Sequence, residues 1–134
     1  MDGLKEIESR DDVSALVTDF YSKVRKDEII GPIFNSIIEN WEAHLEKLTD
    51  FWTMQLFGGK IYVGNPIEVH QSVDSHSNNE LSAFHFGTWI NLWYEAIDAK
   101  FTGDNAALLK HRARKMQTPI MIAIYEGRKK NLNF

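Results

Sequence analysis

The side chains best suited to chemistry in this chain are a few histidines and aromatics, beginning with His70 in Tyr62-Val63-Gly64-Asn65-Pro66-Ile67-Glu68-Val69-His70. Asn65 can cap a helix and Pro66 suits its first position, so a short helix is expected there with Ile67 and His70 on one face. An imidazole presented from an apolar side can ligate a metal, pack in a core or lie at the surface. His44 follows Trp41 by three residues and precedes Leu48 by four and Phe51 by seven, which places it inside an apolar helical stripe. A buried imidazole needs a partner, either a backbone carbonyl or a ligand. Tyr21 borders the face formed by Val17, Phe20 and Val24, and Trp89 lies in a later apolar run. A phenol donates and accepts while an indole only donates, and rings so placed are more often structural than functional.

Other site chemistries do not match. There is no HExxH, Walker loop or GxSxG, which argues against the common metalloprotease, nucleotide and serine-hydrolase sites. No Glu-x-x-His pair is present, as a di-iron bundle would require. His70 and His76 are six apart and share a helix face poorly, so zinc has no obvious ligand set.

The elements that position these residues have the helical period. Val13, Leu16, Val17, Phe20 and Val24 predict a first helix from Asp12 to near Gly31-Pro32, with Ser9 to Asp12 as a capping box. A short link through Phe34 leads to Asn40, the cap of a second helix carrying Trp41, His44, Leu45, Leu48, Phe51, Trp52 and Leu56 and stopped by Gly58-Gly59. The His70 helix and a polar loop at Ser75 to Asn79 precede a third long helix from Glu80, which bears Leu81, Phe84, His85, Trp89, Leu92, Trp93, Ala96 and Ile97 and stops before Gly103. A last helix from about Asp104 to Gly127 contains Pro119, which is expected to kink or break it. No segment alternates like a strand pair, so the fold class is all-α.

With 134 residues and 43% of them hydrophobic, residues 1–134 are expected to form one domain with a real core. A formal charge of −4 with scattered Lys and Arg argues against nucleic acid or an anionic membrane as the main partner, and Arg128-Lys129-Lys130 reads as a solvated tail. Having no cysteine rules out disulfides, thiolate metal sites and a cysteine nucleophile. The acids in Met1 to Glu8 are unlike a secretory signal and no stretch reaches transmembrane length, so a soluble cytoplasmic protein is expected.

Taken in order, Phe20-Tyr21-Ser22-Lys23-Val24-Arg25-Lys26-Asp27, Gly31-Pro32-Ile33-Phe34, Trp41-Glu42-Ala43-His44 with Phe51-Trp52, Gly64-Asn65-Pro66-x-x-x-His70 and His85-Phe86-x-x-Trp89 resemble a truncated haemoglobin, most of all the third group of that family. The resemblance runs from Asp12 to Ile124. It implies a shortened globin fold, two helices packed over two around one haem b. It also implies that His70 ligates iron, with His76 as a rival, that Tyr21 and Trp89 are polar residues over the distal face, and that His44 gates it. Phe34, Leu48, Phe51, Trp52 and Tyr62 would wall the haem. Dioxygen or another diatomic ligand would bind, with a reductase as partner if nitric-oxide dioxygenation or peroxide chemistry follows. The reading from another class is a cofactor-free helical interaction module in which the same residues are core.

Overall fold

The computed structural model describes residues 4–58 and 83–132. The expected helix around His70, with Tyr62 and His76, lies outside them. The described residues form helices α1 (Arg10–Lys26), α2 (Gly31–Ile37), α3 (Trp41–Phe57), α4 (Ala83–Lys100) and α5 (Asp104–Leu132). The local signals for two of these starts act as expected. The Ser9 side chain accepts from the Asp12 N–H and the Asn40 side chain from the Ala43 N–H, each supplying an acceptor that the first turn lacks. At the end of α3, Gly58 caps the helix at φ +80°, a conformation that costs glycine little.

Two expectations need correction. The first helix stops at Lys26, before Gly31-Pro32, and that pair opens α2 instead. The Asp27 carboxylate accepts from the Ile29 and Ile30 N–H groups and turns the chain, after which Pro32 fits a first turn that needs no donor. Gly31 is required by the close approach of the two helices, since a Cβ there would lie 2.9 Å from the Arg25 carbonyl oxygen and 3.0 Å from that of Val24. The last helix, by contrast, runs unbroken through Pro119 and past Gly127 to Leu132. Pro119 and Lys115 are both exposed, so water can satisfy the Lys115 carbonyl that loses its donor.

α1 packs against α3, α4 packs against α5, and the two pairs meet through α1 on α4 and α3 on α5, with α2 beside α1. This is the two-over-two arrangement. The core between the pairs contains Val13, Leu16, Val17, Phe20 and Val24 from α1, Phe51 and Trp52 from α3, Ile90, Trp93, Ala96 and Ile97 from α4, and Ala106, Leu109 and Ala113 from α5. The periodicity of each helix therefore becomes one shared interior. Among the described residues there are no strands, only an isolated bridge between Lys5 and Phe101. That bridge holds the N-terminal segment, where Ile7 is fully buried and the Glu6 carboxylate accepts from the Asp104 and Asn105 N–H groups at 3.0 and 2.9 Å. Glu6 thus caps α5 from almost a hundred residues away and places a negative charge at its positive end.

Candidate functional site

Phe20 and Tyr21 are consecutive on α1, and the helical rotation between them sends the two rings to different neighbours. Phe20 meets α4, edge-on to Trp89 at 5.3 Å and to Trp93 at 4.9 Å between ring centroids. Tyr21 meets α2 and α3, with its ring 6.1 Å from Phe34, 5.8 Å from Trp41 and 5.7 Å from His44. Trp41 and His44, one turn apart on α3, are themselves 5.7 Å apart edge to face. Tyr21, Trp41 and His44 therefore form a closed triangle of rings.

Tyr21, Trp89 and His44 each bring a polar group to this cluster. Tyr21 is 4% exposed, and the Trp89 indole N–H, which can only donate, is the polar group that acts on its hydroxyl. Burial pushes the phenol well above its usual range, with the indole hydrogen bond a smaller opposing effect, so the hydroxyl keeps its proton at any physiological pH. A phenol oxygen can accept from an indole and still have its own proton left to donate. On the third side, His44 Nε2 is buried with no hydrogen-bond partner among the described residues. Burial first and the nearby Lys47 charge second lower the His44 pKa and favour the neutral ring. The outcome is a phenol, an indole and a neutral imidazole enclosed by aromatic rings, suited to hydrogen-bonding a small polar ligand.

The structure brings Tyr21, His44, Phe34 and Trp89 into this one cluster. Leu48, on the α3 face one turn after His44, is half-buried against the core. Phe51 and Trp52 lie deeper, their rings 5.0 Å apart, and Trp52 stacks on Trp93 at 4.7 Å. Trp93 has a purely internal bond, its indole N–H donating to the Leu109 carbonyl at 3.2 Å. The two α4 tryptophans stack at 6.0 Å, yet only Trp89 reaches the Tyr21 hydroxyl. Two residues that sequence reasoning did not single out as site residues are Trp41 and Arg25, whose guanidinium lies 4.6 Å over the Trp41 ring. Their signal was present as spacing, Arg25 four residues after Tyr21 and Trp41 three before His44.

The chain matches the model of the bacterial-like globin family over residues 5–124. It is 27% identical over 122 residues to the group 3 truncated hemoglobin ctb of Campylobacter jejuni, covering 88% of this chain and 92% of that one. A crystal structure of group III truncated hemoglobin from Campylobacter jejuni superposes with a TM-score of 0.72 at 27% identity, over 92% of each chain. With the helix pairs stacked two over two and the polar aromatic cluster set between α1, α3 and α4, the chain belongs to the bacterial-like globins, and so to proteins that bind diatomic ligands through haem, and it is similar to a group 3 truncated hemoglobin.

Proposed function

We propose that this chain holds haem b through His70 and uses Tyr21, Trp89 and His44 to receive and retain a diatomic ligand, with Phe34, Leu48, Phe51, Trp52 and Tyr62 as the apolar wall. The observation that carries this reading is the buried Tyr21, its ring 5.7 Å from that of His44, whose buried Nε2 has no partner among the described residues. A buried polar atom without a partner is costly, and a ligand that accepts or donates there relieves the cost. The donor set fits haem chemistry, since it offers hydrogen bonds without adding charge. When bound, the haem supplies an iron atom able to coordinate dioxygen, carbon monoxide or nitric oxide.

The protein's contribution is then threefold. Tyr21 would donate to the ligand, Trp89 would orient and polarise that phenol, and the aromatic rings would exclude water. His44 Nε2 has no hydrogen-bond partner among the described residues, so the ring can swing between cavity and solvent and gate entry. Firm retention suits sensing or turnover, such as nitric-oxide dioxygenation or reaction with peroxide, better than transport. A reductase in the cytoplasm would complete such a cycle. The cofactor-free interaction module has no observation in its favour.

The test is spectroscopic. Purified protein should show a haem absorption band, His70→Gly should lose it or require added imidazole to recover a native ferrous spectrum, and His76→Ala should look native. Rescue of His76→Ala rather than His70→Gly would reassign the ligand.

A further inference from the structure

The geometry points to Arg25 as the positioning residue of the gate: its guanidinium latches Trp41, and Trp41 in turn keeps the His44 ring inward. This rests on the reading of His44 as a gate. The His44 ring has edge contacts with Tyr21 and Trp41, both at 5.7 Å, while its Nε2 has no hydrogen-bond partner among the described residues. Ring packing, and no polar bond at Nε2, therefore retains it. Of the two rings Tyr21 is buried and held by Trp89, whereas Trp41 is only half-buried and begins α3. Trp41 is thus the movable wall.

Arg25 covers that wall at 4.6 Å from the ring centroid. Its base is firmly placed. Asn35 Nδ2 donates to the Arg25 carbonyl at 3.1 Å, and Gly31 packs against the same carbonyl. Because Arg25 is one turn after Tyr21 on α1, a single helix carries both the buried donor and the exposed latch. A cation over an indole face at an exposed site shifts such an equilibrium by about two- to five-fold. Freeing Trp41 should let His44 populate its outward position by that factor.

The experiment uses haem-loaded protein carrying Arg25→Gln or Arg25→Lys, each in the native and the His44→Leu background. Two quantities are read: carbon monoxide association by flash photolysis, and outward exchange of the His44 imidazole by carbon-13 relaxation dispersion on histidine-labelled protein, the resonance being assigned by its loss in His44→Leu. Arg25→Gln should raise both by about two- to five-fold. Arg25→Lys, which keeps a cation over the ring, should fall between Arg25→Gln and native, and Arg25→Gln should have no effect on association when His44 is already Leu. Unchanged imidazole exchange in Arg25→Gln, or an association effect that persists in the His44→Leu background, overturns the latch. If His44→Leu alone leaves association unchanged, the gate is lost as a reading, and the latch is still decided by the imidazole exchange.

Discussion

Removal of the Tyr21 hydroxyl tests the site most directly, because the structure joins the two supposed distal donors in series. The Trp89 N–H acts on the Tyr21 hydroxyl, so on the proposed reading a ligand would receive the phenol proton while the indole strengthens that donor from behind. A hydrogen bond to a charged acceptor contributes about 1.5 to 3 kcal/mol, and each 1.4 kcal/mol is about ten-fold. Tyr21→Phe should therefore speed dioxygen release by about ten-fold or more. Polarisation along a hydrogen-bond chain adds roughly 10–30% per bond. Trp89→Phe, which keeps an aromatic ring near Phe20 and Trp93, should then speed release by less than about five-fold. The double variant should match Tyr21→Phe. Stopped-flow displacement of dioxygen by carbon monoxide gives these rates, and carbon monoxide release, which involves a less charged ligand, should change little. A Trp89→Phe effect as large as that of Tyr21→Phe, with the two adding in the double variant, would refute the series arrangement. Equal acceleration of both gases would show that the rings act only by shape.

His44→Leu should change carbon monoxide association more than dissociation, and a much faster dioxygen release at unchanged association would instead make His44 a primary donor. The His44 pKa is lowered in the folded state, so the unfolded chain takes up a proton first: stability is full above the unfolded value of 6.5 and declines as pH falls from there toward the lower folded value. Chemical unfolding of cofactor-free protein should accordingly show native and His44→Leu converging in pH dependence above pH 7 and diverging below 6.5, with parallel curves refuting the shift. Gly103 sits at φ +101° with the Glu6 carboxylate where a Cβ would be, so Gly103→Ala should lower unfolding free energy by about 1–3 kcal/mol, measurable in urea. Glu6→Ala, which strips the cap from α5, should cost about 0.5–2 kcal/mol by the same assay.

Whatever depended on short spacing could be read directly from the chain. The apolar stripe of α1, the Ser9 and Asn40 caps, the glycine stop after α3 and the placement of His44 among apolar neighbours all follow from interactions within one or two helical turns. The ordered motifs from Phe20 to Trp89 likewise pointed to the truncated globin family that the whole-chain comparison bears out. Contacts across long separations had no such local signature. Whether Gly31-Pro32 ends one helix or opens the next was decided by the Asp27 turn and by how closely α2 approaches the Arg25 carbonyl. That the N-terminal Glu6 caps a helix beginning at Asp104, that Trp89 rather than Trp93 reaches the Tyr21 hydroxyl, and that Arg25 covers Trp41 were settled by the stacking of helix pairs. Local sequence sets the face each side chain takes on its own helix; only the packing angle and register between helices set which faces meet.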